Sequence, residues 1–323
     1  MSRYKFGTGV PTWNGVPMIG GMPSGLTDVF FVDYGIGSDG VNKKANSVSR
    51  PFKTIDKAMD TITTNKNEGI ALVGNSTHTL TEMLSVTKNR MHIFGYDPGG
   101  RMYGQNAKIS IGITGVATDI AAIQNTGVRN SFSNVKVMSS NTVAEGLYGF
   151  AEGGEYTSFT ACEFYLSSQL GATTAAEFLH NGDSAQFINC VFGSTANIIV
   201  TAKIRPNVSV TATLSGKKCR DTYFQDCLFL SKAGGTAHVA VYGTNATDVE
   251  RMMILKDCTF LNNALSAATP AHAVGFGAAQ TEGSVLLKNC TSVDCTVMAE
   301  AAVGIYVDGA VPTFATTGIA DAA

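Results

Sequence analysis

Phe187-Ile188-Asn189-Cys190-Val191-Phe192 is the phrase on which the fold turns. Six residues are too few for a helix, and they alternate as a strand does. Cys190 and Phe192 share one side, Val191 takes the other, and Phe187 belongs to a preceding short strand. Asn189 sits between the two strand pieces. Asn tolerates a left-handed backbone and can hydrogen-bond its own turn, so it suits a sharp corner. The phrase recurs as Phe159-Thr160-Ala161-Cys162-Glu163-Phe164, Phe224-Gln225-Asp226-Cys227-Leu228-Phe229, Leu255-Lys256-Asp257-Cys258-Thr259-Phe260 and Leu287-Lys288-Asn289-Cys290-Thr291-Ser292. A cysteine-free copy precedes them as Phe132-Ser133-Asn134-Val135-Lys136-Val137. From Val135 through Cys162, Cys190, Cys227 and Cys258 to Cys290 the steps are 27, 28, 37, 31 and 32 residues. A period of roughly 20–50 residues marks stacked units, none of which can bury its apolar face alone. If each repeat is one coil, like residues pile up about 4.8 Å apart in parallel sheets. Cys162, Cys190, Cys227, Cys258 and Cys290 then form an interior ladder. Phe164, Phe192, Phe229 and Phe260 form an interior stack, and the Asn/Asp positions form a polar column at the corner.

These repeats resemble the coils of a right-handed parallel β-helix, the pectin-lyase-like fold, over about residues 28–310. The expected architecture is all-β: a single solenoid of roughly nine coils of about 30 residues, stacked over about 40 Å. Arg50-Pro51-Phe52-Lys53-Thr54-Ile55 opens one amphipathic helix, expected over about 52–63. Ile55, Ala58, Met59 and Ile62 lie on one face, and Asp56, Lys57 and Asp60 on the other. A strand (Val29-Phe30-Phe31-Val32), a glycine-rich loop and then Pro-Phe-Lys-Thr-Ile-x-x-Ala resembles the entry of many β-helix proteins. There a short helix covers the otherwise exposed end of the first coil. Gly35-Ile36-Gly37-Ser38-Asp39-Gly40 also matches the dinucleotide fingerprint. No helix begins at that loop, so a plain turn is the better reading.

Of the 323 residues, 44% are hydrophobic, enough for a large core, and 15% are charged against a usual value of about 25%. The formal net charge of −2 gives no basic field for nucleic acid or anionic lipid. No run of 18 apolar residues suggests a membrane span. The seven cysteines lack paired Cys-x-x-Cys spacing, so buried free thiols are expected and neither a metal nor another cofactor is. Cys219 and Cys295 fall outside the repeat. Reduced thiols, and a proline-broken stretch over residues 1–34 without a secretory signal, suggest assembly in a cytosol.

Residues 1–27 are rich in Gly and Pro yet carry Tyr4, Phe6, Trp13, Met18 and Ile19, which a disordered tail normally lacks. Two readings stand: an arm laid along a partner, with Trp13 as anchor, or an arm folded back over the chain's own end. Residues 311–323 read as a C-terminal tail.

Candidates for chemistry are scattered. Polysaccharide lyases and hydrolases of the resembling fold use outer-face carboxylates with calcium or a basic residue. The hydrolase version needs two carboxyls about 5–9.5 Å apart. Glu177, His180 and Asp183 form the tightest group, Glu152 and Glu155 are near one another, and Arg205, Arg220 and Arg251 are basic candidates. The plainer reading of Glu177, His180 and Asp183 is a solvated turn. His78, His92, His238 and His272 read as structural. Such coils also resemble those of bacteriophage virions, in tail spikes and auxiliary head proteins. The resemblance implies a structural virion protein. Its expected form is a capsid-associated decoration or auxiliary head protein, assembled in the host cytoplasm, trimeric, and docked on other virion proteins through its arm. The alternative is a tail spike or other β-helix protein that binds or depolymerises a glycan, as a lyase or glycoside hydrolase.

Overall fold

The computed structural model describes residues 12–13, 16–17, 25–74, 76–96, 104–111, 120–140, 147–167, 175–196, 198–199, 203–211, 217–263 and 269–308. Most of residues 1–27 and all of 311–323 therefore lie outside the described residues. In the arm, Thr12–Trp13 pairs antiparallel with Val16–Pro17.

From Val29 onward the chain winds as a right-handed parallel β-helix. Three parallel sheets of ten, eight and eight strands run the length of the tube, with sequential coils as neighbours. Among the described residues, eight complete coils each give one strand to every sheet. The first complete coil comprises Glu68–Leu72, Thr77–Leu80 and Leu84–Val86, and the last comprises Ser284–Lys288, Thr291–Val293 and Val297–Ala299. Val29–Val32 precedes this stack and Ile305–Val307 follows it, both in the first sheet.

The repeat phrase accounts for this register. In the first sheet Phe132, Phe159, Phe187, Phe224, Leu255 and Leu287 lie directly over one another. In the second, Val137, Phe164, Phe192, Phe229 and Phe260 do the same. The rings stack at coil spacing, with centroids 4.8 Å apart for Phe159 and Phe187 and 4.4 Å for Phe187 and Phe224. From the third sheet Phe150 and Phe178 meet them edge-on, so rings from all three sheets pack the middle coils of the tube. Each such pair adds about 0.5–1.5 kcal/mol beyond its area burial. The thiols of Cys162, Cys190, Cys227 and Cys258 are buried in the same core, and Cys290 at the last coil is half-buried. Burial pushes the Cys190 and Cys227 thiols well up, and the neighbouring thiol does the same for Cys258 and Cys290, so these sulfurs stay protonated and inert.

The corner between the first and second sheets is left-handed throughout. Asn134, Asn189, Asp226, Asp257 and Asn289 have φ of +54°, +54°, +52°, +53° and +51°. Each of the first four donates its N–H to the carbonyl preceding the equivalent corner one coil on, as Asn189 does to Gln225 at 3.0 Å. Ala161 occupies the same position with φ +51° and no side chain suited to it. A left-handed alanine costs about 1–2 kcal/mol, and Asn recovers part of that. Ala161→Asn should therefore raise stability by about 0.5–1 kcal/mol, read as a higher urea midpoint at unchanged slope. A midpoint at or below that of the parent counts against the corner's accounting.

The helix is shorter than the sequence suggests. It runs Ile55–Thr61, with Thr54 as N-cap accepting from Lys57 N at 3.2 Å. Phe52 instead bridges to Val32 in extended backbone, because its N–H and carbonyl serve Phe31 and Asp33. Ile55, Ala58 and Met59 pack on Phe30, Val32 and Ile70 at the tube's entry. The loop with the dinucleotide-like pattern is a turn held by Asp33, whose Oδ1 accepts from Gly35 N and Ile36 N.

Candidate functional site

The return from the third sheet to the first forms a second corner, and the outer chemistry collects there. Val128, Glu155, Asp183 and Arg220 align in successive coils along it. The residue after each of these is left-handed, as are Asn65 and Arg90 at the same corner of the two preceding coils. Asn65, Arg90, Arg129, Tyr156, Ser184 and Asp221 have φ of +64°, +54°, +60°, +55°, +55° and +49°. Just before the aligned residues, Gly127 and Gly154 let the coils close up. A Cβ at Gly154 would lie 2.2 Å from the Gly127 carbonyl oxygen. Unlike the first corner, this one places Arg90, Arg129 and Tyr156 where Asn or Gly would be relaxed, at about 1–2 kcal/mol each.

Among the described residues, two hollows open on this corner. The larger, about 330 Å³, is lined by Glu155, Asp183, Lys217, Lys218, Arg220 and Glu250. Its cations are paired. Lys217 Nζ lies 2.7 Å from Glu155 Oε1, Lys218 contacts Glu282, and Arg220 reaches Asp183 at 3.5 Å while gripping both oxygens of Glu250. The Arg220 guanidinium holds the Glu250 carboxyl below the usual carboxylate range. The smaller hollow, about 200 Å³, is lined by Asn65, Asn89, Arg90, Val128, Arg129 and Tyr156.

Beneath the corner lies a sealed polar cluster. Glu152 is fully buried and accepts from Asn125 Nδ2 at 2.8 Å, Gly154 N at 2.7 Å and Thr157 Oγ1 at 3.0 Å. Burial still pushes its carboxyl up to about 7 against the pull of those donors. One coil on, in register with Glu152, His180 is also fully buried and bonds Thr222 Oγ1 at 2.7 Å. Burial lowers its imidazole to about 3, so it is neutral.

The residues singled out from the sequence thus go to three different places. Glu177 and His180 are in a strand, Ala176–His180 of the third sheet, not in a solvated turn. Phe178 and His180 face the aromatic core. Glu177, on the opposite face, is covered by Arg205, whose NH1 lies 2.9 Å from its Oε1. Asp183 is on the outer corner with Arg220. Of the other candidates, Glu152 lies in the wall and Glu155 outside, while Arg205 is internal and Arg220 is in the groove. Arg251 pairs with Asp221 on the surface. Sequence reading passed over Lys217, Lys218, Glu250, Arg90, Arg129 and Tyr156. The stacked Gly127, Gly154 and Gly182 were the available signal, since close coil contact requires them at one corner. Among the described residues no three His, Cys, Asp or Glu side chains are grouped as metal ligands, and no helix is long and apolar enough to cross a membrane.

No protein-family model and no curated protein matches the chain. Solved structures do match. A pectin methylesterase from Aspergillus niger is 13% identical, with a TM-score of 0.55 over 90% of this chain and 82% of that one. The pectate lyase Pel9A is 12% identical, with a TM-score of 0.53 over 82% of this chain and 63% of that one. The chain thus spans less than two thirds of that lyase. ORF18 of Geobacillus virus E2 is 12% identical, with a TM-score of 0.37 over 80% of this chain and 56% of that one. At these identities the first two likenesses establish the right-handed parallel β-helix, and the third carries no weight by itself.

Proposed function

We propose that the chain is a non-catalytic structural component of a bacteriophage virion, borne on the particle as a stiff β-helical unit. In this reading it decorates the capsid and docks through residues 1–27, with Trp13 as the anchor, as a trimer assembled in the host cytoplasm. One observation carries the non-catalytic part. Glycoside hydrolysis needs a carboxyl that still holds its proton to face an ionised one across a substrate. Here the carboxyl poised near neutrality, Glu152, is sealed in the wall, while Glu250 in the open groove is ionised and locked to Arg220. The two requirements are met in different places. The virion assignment rests on the likeness of the repeats to virion coils and on the aromatic-bearing Gly/Pro arm.

Deleting residues 1–27 should abolish incorporation into particles while leaving the solenoid folded, read by immunoblot of purified particles and by circular dichroism. Undiminished incorporation counts against the arm as the dock. The second reading, a glycan-active β-helix, is favoured by the open groove of about 330 Å³ at the outer corner. Incubation with bacterial capsule or pectin separates the two. No reducing or unsaturated ends should be released, and their release would overturn the non-catalytic proposal.

A further inference from the structure

The smaller hollow on the outer corner differs from everything around it. The guanidinium groups of Arg205, Arg220 and Arg251 are each paired with a carboxylate. Arg90 and Arg129 make no such pair among the described residues, though both are exposed and occupy equivalent positions in adjacent coils. Arg90 N donates to Val128 O at 2.9 Å and Arg129 N to Glu155 O at 2.7 Å, which fixes both side chains to one outer edge. Two uncompensated like charges side by side repel, and both stand on left-handed backbone where an arginine is strained. The first corner of the same tube meets the same backbone demand mostly with Asn and Asp. The fold thus does not require arginine here, and two independent costs are borne to keep it.

The rest of the hollow supplies what an oxyanion alone does not need. Tyr156 is 54% exposed, and its ring lies 5.7 Å from the Arg129 guanidinium carbon. Asn89 Oδ1 is engaged by Val128 N at 2.9 Å, which leaves its NH₂ as the donor end, and Asn65 stands beside it. A pair of guanidinium forks, each planar, suits a carboxylate or phosphate, an exposed aromatic ring suits the flat face of a sugar, and amide donors suit hydroxyls. We propose that Arg90, Arg129 and Tyr156, with Asn65 and Asn89, form a binding site for an oxyanion-bearing sugar. The oxyanion sits between the arginines and the ring lies against Tyr156. The site is distinct from the ion-paired groove next to it and does not depend on the virion assignment.

The test is calorimetric and NMR titration of the full chain with glucuronate oligosaccharides, glucose 6-phosphate and neutral glucose oligosaccharides at low salt. At least one anionic probe should bind, at least tenfold more tightly than the neutral one, and the two anionic arms show whether carboxylate or phosphate is preferred. Arg90→Asn/Arg129→Asn should weaken that binding at least tenfold while raising the melting temperature, because Asn relaxes the left-handed corner. A folded protein is thus assured in the variant that matters. Tyr156→Ala should weaken binding of the anionic sugar but not of inorganic phosphate. Lys217→Gln, in the neighbouring groove, should leave binding unchanged. No anion-dependent binding at millimolar probe, or equal binding by the double Asn variant, overturns the proposal.

Discussion

Between pH 7.5 and pH 5 the folded chain is expected to lose about 6 kcal/mol of stability. His78, His180 and His238 are almost wholly buried and His92 is half-buried, and burial lowers the imidazoles of His78, His180, His238 and His92 to about 4, about 3, about 4 and about 4. Unfolded, each titrates near 6.5. Above that pH neither state binds the proton. Below it the unfolded chain takes up four protons that the folded chain refuses at these sites, so stability falls as the pH falls from 6.5 towards 4. At pH 5 each histidine accounts for about 2 kcal/mol, about 8 in all. Glu152 works the other way. Its folded value of about 7 is above the unfolded one, so its buried charge is a burden at high pH that is relieved on acidification. That returns about 2 kcal/mol over the same interval. Urea unfolding at half-unit pH steps reads the balance, and a flat profile from pH 7.5 to 5 would refute it. Glu152→Gln should steepen the profile by removing the opposing contribution.

Arg205→Met is expected to cost roughly 3–5 kcal/mol, although it replaces a charge inside the protein by an apolar chain of similar reach. The Arg205 side chain is 3% exposed and that of Glu177 2%. NH1 donates to Glu177 Oε1 at 2.9 Å and NH2 to the Leu166 carbonyl at 2.8 Å. Burial pushes the Glu177 carboxyl up, and Arg205 is the chief influence pulling it back. Removing the guanidinium strands a carboxylate in a dry wall, with Asn207 Nδ2 a distant 3.5 Å away. Removing both charges strands nothing, so Glu177→Leu/Arg205→Met should recover most of the loss. Denaturation of the parent, single and double variants closes the cycle. A single variant within about 1 kcal/mol of the parent would mean that the pair is not what holds Glu177 there.

Much of the tube was legible in the chain because its cause is local and repeated. A corner that turns sharply needs a residue content with positive φ, and Asn134, Asn189, Asp226, Asp257 and Asn289 announce it in one column. The strand piece after it must point Cys and Phe the same way, and the spacing of those residues shows it. The outer corner was not legible for the opposite reason. Arg90, Arg129 and Tyr156 carry no left-handed signature, and only neighbours in other coils force them into that conformation. The stretch around Glu177 misled because Glu177, His180 and Asp183 are polar, and polarity usually means solvent. The covering group, Arg205, arrives 28 residues later.

The sequence by itself determined that like residues would pile up in successive turns of a parallel coil, which faces would be apolar, and where one of the bends would fall. These follow from alternation and from intrinsic backbone preference, both properties of a few adjacent residues. Only the tertiary structure decided which charges meet: Glu177 with Arg205, Lys217 with Glu155, Arg220 with Glu250, and Arg90 and Arg129 with no carboxylate among the described residues. Coil-to-coil distance is short while the sequence between coils varies from 27 to 37 residues. The neighbour that sets a side chain's charge state is therefore adjacent in space and remote in the chain.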